Sequence, residues 1–421
     1  MNPRTWDNEN RLNAVAKFIG FLINPIIGVL LSLYHINTKS SFVILFLAFI
    51  TFGFSMVVPE EETDDFGFDS VVYRSNFEDA ANDAASDIQD NIIQFFAFSG
   101  DTDIYGYLMM YLTSRFTGNY HIFFMIVAAI MAVFMLKTLR YLVTEEDYQF
   151  SVYGLCILFL FTMSQILGVN MFRFYTAYWV ALFSLFKICV DKQNRYYLLL
   201  ALTPFIHASF LILLLIIPLY YLLRRHHTAS IVLLVLSLVF SAASLTFFTK
   251  IIDILPNSLS SHYDAYIDSD YMFEINESGT GYIWVRRIFE TLVLLSVNVV
   301  AFIFARKRKT DIDTNPVCQN IYALLMTFII FVNFTIGIPS VGSRYIMFTY
   351  PLIAYISLRC FSAGQYRQII SLFALFYIAM FLILPWNIYQ VPCLNFYRKL
   401  TDTDFWIYSP VVSFVKYVIM P

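Results

Sequence analysis

Five basic side chains lie at the edges of apolar runs, where a membrane protein normally carries few charges. Arg173 lies in "GVNMFRFYTAYW", His207 in "TPFIHAS" and Arg344 in "GIPSVGSRYIMF". Arg286 and Arg287 stand side by side in "GYIWVRRIFE". An arginine at the bilayer centre costs about 3 kcal/mol or more. Because the arginine fork binds phosphate or carboxylate through two hydrogen bonds, this pattern indicates an anion-binding site near a membrane surface.

Polar and aromatic side chains accompany these cations. Asp69 and Tyr73 occur together in "GFDSVVY", while Asn170 and Tyr345 each belong to one of the arginine motifs. Tyrosines offer stacking faces and hydroxyl groups to sugar rings. The five cysteines are scattered without the spacing of metal ligands, and neither a Walker loop nor a GxGxxG motif occurs. The sequence therefore predicts no metal site, no cofactor and no nucleic-acid partner.

Membrane helices must position these residues. The 421 residues are 59% hydrophobic and 14% charged, whereas a soluble domain carries about a quarter charged residues. Apolar runs of membrane-spanning or nearly spanning length recur at about 18–34, 41–58, 120–140, 150–167, 171–190, 196–223, 229–249, 283–304, 317–334, 345–360 and 368–385. This pattern predicts an all-α polytopic protein, one membrane domain over residues 1–421, with about eleven or twelve transmembrane helices.

The polar segments between the runs differ in charge. Short basic segments such as "DKQNR", "RRHH" and "ARKRK" are typical of cytoplasmic loops, because Lys and Arg concentrate there. Residues 59–104 carry thirteen acidic residues and one basic residue, Arg74. Residues 250–282 carry six acidic residues. Both acidic segments are predicted to be periplasmic loops, the first with short helices.

Two regions leave the topology open. Run 196–223 has basic residues at both ends, so we predict two short helices with a bend at "TPFIHAS", where Pro204 breaks the helix. A tilted single span is the alternative. The hairpin places both chain ends outside, which fits the basic N-terminus poorly. Residues 8–22 could instead form an interfacial helix, with the first span incomplete.

This topology places the unusual cations at one face. Arg173, His207, Arg286, Arg287 and Arg344 all fall at the outer ends of spans, the side that should be poor in basic residues. A lone arginine at a helix end is often only a snorkelling anchor. Together, however, these residues suit a lipid-linked phosphate or diphosphate at the outer membrane interface.

The order of the motifs resembles the EpsG-like, or Wzy-type, family of polysaccharide polymerases. The G-x-D-x-x-x-Y motif is matched by "GFDSVVY", and the E-P-G-Y motif loosely by "DIYG". "NMFRFYTAYW", "FIHASFLILL" and "VGSRYIMF" follow in the order of the family, and the resemblance covers roughly residues 40–385.

The resemblance implies a GT-C-like glycosyltransferase in the bacterial inner membrane. It would join repeat units carried on undecaprenyl diphosphate, without nucleotide sugar or metal. Arg173 and Arg344 would bind the diphosphate, with Arg286 or Arg287 assisting. His207 would be the base or orient the acceptor, and Asp69 is the competing base. Asn170, Tyr73 and Tyr345 complete the expected substrate site.

Other functions share some of these features. An O-antigen ligase uses the same lipid-linked donor with another acceptor, and no residue in the sequence identifies the acceptor. A transporter or flippase of lipid-linked sugars would spread polar groups through the membrane depth, whereas the strong charges here gather at one face. Chain-length regulators and flippases are the expected protein partners, beside the membrane lipid.

Overall fold

The computed structural model describes residues 6–60, 69–83, 85–97, 99, 102–144, 148–163, 168–252, 260, 283–338, 341–361, 367–368, 370–375 and 403–420. Over these ranges the regular elements are helices. One isolated antiparallel bridge pairs Met56 with Thr403. Together with its long apolar helices, this composition makes the chain an all-α polytopic membrane protein.

The α-helices are α1 (Arg11–Ile23), α2 (Pro25–Tyr34), α3 (Lys39–Phe54), α4 (Asp69–Ala80), α5 (Ala85–Phe96), α6 (Tyr105–Ser114), α7 (Tyr120–Val143), α8 (Val152–Thr162), α9 (Phe172–Cys189), α10 (Tyr196–Ala201), α11 (Thr203–Ile206), α12 (Leu213–Arg225), α13 (His227–Val239), α14 (Ser244–Ile252), α15 (Ile283–Lys307), α16 (Pro316–Thr335), α17 (Val341–Tyr345), α18 (Thr349–Cys360) and α19 (Pro410–Phe414). Short 3₁₀ turns cover Gly168–Met171, Ala208–Ile212, Phe240–Ala243, Ile346–Phe348 and Asp404–Trp406, and π turns cover Arg308–Ile312 and Val415–Ile419.

Three of the described helices are long and apolar enough to cross a membrane: Tyr120–Val143, Ala208–Arg225 and Pro316–Thr335. Shorter apolar helices pack around them. Side chains of the preceding residues cap several starts: Asn119 Oδ1 accepts from the first turn of α7 at 2.9 Å, and Asn315 Oδ1 accepts at 2.9 Å at α16. The predicted number of eleven or twelve spans stays a prediction, since the other apolar helices are shorter.

Helix α9 lies at the centre of the bundle. Sixteen of its eighteen residues are buried, and only Arg173 and Lys187 are partly exposed, one near each end. Trp179 and Phe186 are fully enclosed. Since a helix packed on every side cannot tilt without disturbing its neighbours, α9 holds Arg173 at a fixed height in the molecule.

The helix ends sort into the two groups that the charge pattern predicts. At one face, Asn320 at the start of α16 donates to the Cys189 carbonyl at the end of α9, at 3.0 Å. Tyr153 at the start of α8 donates at the same face to the Ser357 carbonyl near the end of α18, at 2.8 Å. The ends of α9 and α18 and the start of α16 adjoin short basic segments, so the positive-inside rule predicts that this face is the cytoplasmic one.

The hairpin predicted over 196–223 is confirmed. The hydroxyls of Tyr197 in α10 and Tyr221 in α12 share a hydrogen bond, so the two arms return to the same face. The chain bends at His207, whose backbone is extended at φ −156° and ψ 119°. Pro204 belongs to the first turn of α11, a position that a helix tolerates. The bend therefore lies within the predicted "TPFIHAS" segment, at His207, and Pro204 is not the residue that breaks the helix.

The N-terminal run 18–34 is not one span, which corrects the first topology. Asn24 separates α1 from α2 and accepts from the first turn of α2 at 2.8 Å, with Pro25 at the helix start. A Cβ on Gly28 would meet the Phe21 Cβ at 2.6 Å, so the two helices pack tightly against each other. Thirteen and ten residues give about 20 and 15 Å, too short to cross a hydrocarbon core of about 30 Å. The alternative of an incomplete first span is confirmed.

This short hairpin also corrects the side of the N-terminal segment. The Asp7 N–H donates to the Asn37 carbonyl at 3.2 Å, and Lys17 donates to the Ser41 hydroxyl at 2.7 Å. The described N-terminal residues therefore lie beside the start of α3, at the face opposite the acidic loop. The scheme with both ends outside is wrong, because α1 and α2 form a pair that returns to its starting face.

Short helices cover the outer face, as predicted for residues 59–104. The Ser114 hydroxyl at the end of α6 donates to the Ala80 carbonyl at the end of α4, at 3.2 Å. The Ile104 N–H donates to the Phe205 carbonyl at 3.2 Å, which fixes the start of α6 beside the His207 bend. Of the predicted second loop, 250–282, only residues 250–252 and 260 belong to the described part of the chain.

Candidate functional site

Arg173 connects three elements of the outer face. It is the second residue of α9, and its Nε donates to the Tyr73 hydroxyl at 3.1 Å. Its Nη1 donates to both carboxylate oxygens of Asp103, at 3.3 and 3.2 Å. The guanidinium carbon also lies 5.2 Å from the centre of the Tyr73 ring. Residues about 100 and 70 positions away thus hold one side chain in a fixed orientation.

The "DIYG" segment packs against the Arg173 side chain. The Asp103 side chain is 3% exposed, whereas the Arg173 side chain is 35% exposed. A Cβ on Gly106 would lie 2.6 Å from the Arg173 Cδ, so the arginine stem runs directly over the glycine. Both the aspartate and the glycine of this segment therefore contact Arg173. Asp103 is absent from the predicted set of site residues, because "DIYG" matches E-P-G-Y only loosely.

Asp69 and Tyr73 occupy one face of α4, four residues apart. Asp69 is the first residue of the helix and is accessible, yet surrounding protein raises the pKa of its carboxyl above the usual range. Arg173 and Arg344 act in the opposite direction and lower it. Two arginines are close enough to influence it.

Tyr73 is buried below Asp69. It is 4% exposed, and its ring meets the Phe172 ring edge-on, with centroids 4.7 Å apart. Burial raises the pKa of Tyr73 to about 12, against the lowering effect of Arg173. The hydroxyl therefore stays neutral at physiological pH and accepts a hydrogen bond from Arg173 while keeping a proton to donate.

Phe174 connects His207 and Arg344 to the residues around Arg173. Arg344 lies over its ring, with the guanidinium carbon 5.4 Å from the centroid. The His207 ring meets Phe174 edge-on, with centroids 5.4 Å apart. Consecutive residues of α9 thus contact Tyr73 through Arg173, and His207 and Arg344 through Phe174. Sequence reasoning missed Phe174, since aromatic residues at the membrane interface are common.

His207 stabilises its own bend. Its Nδ1 lies 3.3 Å from the Ser209 N–H, which donates to it, and 2.9 Å from the Ser209 hydroxyl. A backbone N–H has only a donor role, so Nδ1 is the unprotonated nitrogen and Nε2 carries the ring proton. The neutral imidazole is therefore a donor at Nε2. His207 is 9% exposed at this apex.

Tyr345 fastens the Arg344 segment to the His207 bend. Its hydroxyl donates to the Ser209 carbonyl at 2.6 Å, and the residue is 2% exposed. Asn170 lies in the 3₁₀ turn that precedes α9, and its Oδ1 is a buried acceptor without a hydrogen bond to any described residue. Tyr345 thus orders the turn that carries His207, while Asn170 retains an unsatisfied acceptor beside Arg173.

Most of the predicted site residues converge. Asp69, Tyr73, Arg173, His207 and Arg344 lie around α4 and the first turn of α9, on four separate stretches of the chain. Arg286 and Arg287 fall in the first turn of α15, and their side chains lie outside the described part of the structure. Among the described residues, no three His, Cys, Asp or Glu side chains are grouped as metal ligands would be.

Residues 45–397 match the sequence model of the EpsG family. The chain belongs to the EpsG family. This match spans most of the protein and includes every residue of the cluster described above. No curated protein and no solved structure matches the chain. EpsG-family membership and the apolar helices assign this protein to polysaccharide synthesis in a membrane, as a glycosyltransferase-like polymerase.

Proposed function

We propose that this EpsG-family protein polymerises oligosaccharide repeat units carried on undecaprenyl diphosphate, at the periplasmic face of the bacterial inner membrane. The observation that carries the proposal is the cluster at the start of α9: Tyr73 and Asp103 hold Arg173, Arg344 lies over Phe174, and Asp69 lies one helical turn before Tyr73. A desolvated carboxyl beside two cations combines the base and the anion-binding groups of a glycosyl transfer from a diphosphate. All three belong to helices that start at the outer face.

The arginines stabilise the departing diphosphate. Negative charge grows on the diphosphate as its bond to the sugar breaks, and fixed donors aimed at that charge lower the barrier. Tyr73 and Asp103 hold Arg173 before the substrate binds, so little reorganisation is needed. Arg344, held over Phe174, presents a second cation from another segment. Arg286 and Arg287 remain candidates for a third contact.

Asp69 acts as the general base in this scheme. A raised pKa makes the carboxylate a stronger proton acceptor than an ordinary aspartate. His207 is less suited to this role, because its unprotonated Nδ1 already accepts from Ser209. Its Nε2–H instead orients the acceptor sugar as a hydrogen-bond donor. Asn170 offers a buried acceptor, Oδ1, to a sugar hydroxyl.

The reaction joins the growing chain to the next lipid-linked unit. The acceptor hydroxyl gives its proton to Asp69, and its oxygen forms a bond to the anomeric carbon of the donor. The bond from that carbon to the diphosphate oxygen breaks, and the bonding electrons leave with undecaprenyl diphosphate. The proton then passes to solvent. The diphosphate is already an activated leaving group, so the scheme uses no nucleotide sugar and routes no step through a metal.

The protein partners follow from the substrate. A flippase must deliver the lipid-linked units to the periplasmic face, and a chain-length regulator would act on the polymer as it grows. The membrane lipid surrounds the site, and no nucleic acid takes part.

Complementation in a deletion strain tests the function. Surface polysaccharide is resolved on gels after rescue with wild type, Arg173→Ala or Arg115→Ala at matched membrane abundance. Arg115 is the control because it lies at the same face but donates to the Ala80 carbonyl, away from Asp69. We expect wild type and Arg115→Ala to restore the long-chain ladder, and Arg173→Ala to leave single repeat units.

Two results would contradict the proposal. Loss of all surface sugar in the deletion strain, with long polymer retained on undecaprenyl diphosphate, would identify a ligase. Failure to present lipid-linked units at the periplasmic face would identify a flippase. A full ladder from Arg173→Ala would leave the arginine as a membrane anchor.

A further inference from the structure

A cavity of about 240 Å³ lies at the cytoplasmic face, on the opposite side of the molecule from Asp69. It is formed by residues before α1, by the turn between α2 and α3, and by residues 148–150 before α8. Its lining includes Asp7, Tyr34, His35, Tyr148 and Phe150. At about 30 Å³ per water molecule, the volume equals about eight waters, enough for a small polar group but not for an oligosaccharide.

Aromatic rings form the walls of this cavity. The Tyr34 ring meets the Phe150 ring at 68°, with centroids 5.1 Å apart, and the His35 ring at 74°, with centroids 4.5 Å apart. Asp7 adds a carboxylate, which the Asn37 side chain orients by a hydrogen bond. Aromatic faces set at steep angles beside a carboxylate attract an organic cation, since each ring face is negative.

Tyr148 adds a hydrogen-bond donor to the lining of the cavity. It is 8% exposed, and its buried hydroxyl makes no hydrogen bond to any described residue. Burial raises the pKa of this phenol, so the hydroxyl keeps its proton. A buried donor without a partner is costly. A ligand that carries a hydrogen-bond acceptor close to its cation satisfies Tyr148 and the aromatic walls together.

The cavity also opens towards lipid. Tyr34 is 58% exposed and Phe150 is 46% exposed, so the rim is accessible. Leu30 and Leu31, about one helical turn before Tyr34 in α2, are 61% and 40% exposed. Apolar side chains next to a polar cavity match a molecule with a polar head and an acyl tail.

We propose that this cavity binds a zwitterionic ammonium–phosphate group. The ammonium lies between Tyr34, Phe150 and Asp7, and a phosphate oxygen accepts from Tyr148. The group has two possible sources: the headgroup of an ethanolamine phospholipid in the cytoplasmic leaflet, or free phosphoethanolamine. The exposed leucines favour the lipid. The site is independent of the polymerase reaction.

Lipid binding to the full-length protein tests the site. The protein is purified in detergent and titrated, under native mass spectrometry, with ethanolamine and glycerol phospholipids of identical acyl chains, and separately with free phosphoethanolamine. We expect the ethanolamine lipid to bind at least fivefold more tightly than the glycerol lipid. Tyr34→Ala and Phe150→Ala should each weaken this binding about fivefold, the effect of losing one cation–π contact.

Tyr148→Phe separates recognition from folding. The substitution removes a hydroxyl that has no partner among the described residues, so the thermal midpoint should not fall, whereas the lipid should bind severalfold more weakly. Tyr322→Phe is the matched control, because its buried hydroxyl also has no partner among the described residues and Tyr322 lies outside the cavity. Equal binding of both lipids, or unchanged binding in Tyr34→Ala and Tyr148→Phe, would overturn the proposal. Tight binding of free phosphoethanolamine would support the site with a soluble ligand.

Discussion

The two faces of the protein each hold a cation paired with a carboxylate, and the surroundings of the two pairs differ. At the cytoplasmic face, Lys17 is 2% exposed and donates to the Glu9 carboxylate. It also donates to three hydroxyls, those of Thr38, Ser40 and Ser41, at 2.9, 3.1 and 2.7 Å. An ammonium group has three protons, so this network uses all of its donor capacity within the protein.

The ion pair at the outer face is less enclosed by protein. Arg173 is paired with the buried Asp103, but a third of the arginine side chain remains exposed. Arg344 adds a second positive charge, and burial raises the pKa of Asp69 although both arginines lower it. Clustered charged groups with a perturbed pKa are typical of functional sites. The Lys17 pair is enclosed by helices α1 and α3, whereas the Arg173 pair keeps part of its cation accessible.

Asp69→Asn is expected to cause the largest loss of activity without a loss of stability. Asp69→Asn removes the proposed base, so polymer formation from lipid-linked units should fall by about 10²–10⁴-fold. The purified variant and wild type are compared by polymer yield per folded molecule, across pH. Wild-type activity should decline as pH falls through the raised pKa of Asp69, at higher pH than an ordinary aspartate would allow. Substantial activity in Asp69→Asn would transfer the base role to His207.

The same substitution makes a prediction for folding. Because the pKa of Asp69 is raised in the folded protein, the folded state binds this proton more tightly than the unfolded state. The contribution of Asp69 to stability is therefore present at low pH and lost as pH rises through the folded pKa. Above that pH, Asp69→Asn should have an unfolding midpoint equal to or above that of wild type. A large drop would indicate a structural role instead.

Arg173→Lys tests the geometry of the outer pair. Lysine keeps the charge beside Asp103 but lacks the planar fork, so membrane abundance should persist while polymerisation falls by about 10²–10³-fold. The matched control is Arg74→Lys. Arg74 follows Tyr73 in α4 but pairs with Glu60 and Glu78. Equal activity of both variants would show that a simple positive charge suffices at Arg173.

Lys17→Met tests the ion pair at the opposite face. Removing one partner of a buried ion pair costs about 3–5 kcal/mol, so the unfolding midpoint and the folded yield should fall. Polymerisation per folded molecule should stay unchanged, since Lys17 lies at the far face. Lys17→Met combined with Glu9→Gln should recover much of the stability. Loss of activity in the folded fraction would contradict a purely structural role.

The charge pattern of the sequence is enough to gather several candidate site residues at one end of the helices. The positive-inside rule assigns helix ends to faces, and it places Arg173, His207 and Arg344 together although they lie far apart in the chain. Charge patterns do not predict which side chains touch. The contacts of Asp103 and Phe174 with the site therefore become visible only in the packing of α6 and α9.

The N-terminal region shows where hydropathy fails. Run 18–34 is apolar apart from Asn24 and Ser32, yet Asn24 and Pro25 form a helix cap inside it. Average hydrophobicity hides two residues whose backbone preferences decide the structure. Three polar residues at the start of α3 then stabilise Lys17, a contact that no periodicity in α1 predicts.

Gly106→Ala perturbs Arg173 without changing its chemistry. The new methyl group would lie 2.6 Å from the Arg173 Cδ, so the arginine stem must shift. A displacement of about 1 Å in a positioning group can reduce a rate by up to about 10²-fold, and we expect about tenfold lower polymerisation with little change in unfolding midpoint. Gly118→Ala is the control, because no atom lies within 4 Å of its Cβ position. Equal effects of the two variants would exclude a specific role for the close approach.

The smallest effect is expected at Tyr345. Tyr345→Phe removes the hydrogen bond to the Ser209 carbonyl and costs about 1 kcal/mol, so the His207 bend should loosen and polymerisation should fall severalfold. Tyr322→Phe is the matched control, since its buried hydroxyl makes no bond to a described residue and its removal should be neutral. If Tyr345 only fills space, both variants will behave alike. If it contacts the sugar directly, the apparent affinity for lipid-linked units should weaken while the unfolding midpoint holds. The midpoint and the substrate dependence therefore need to be measured on the same preparation.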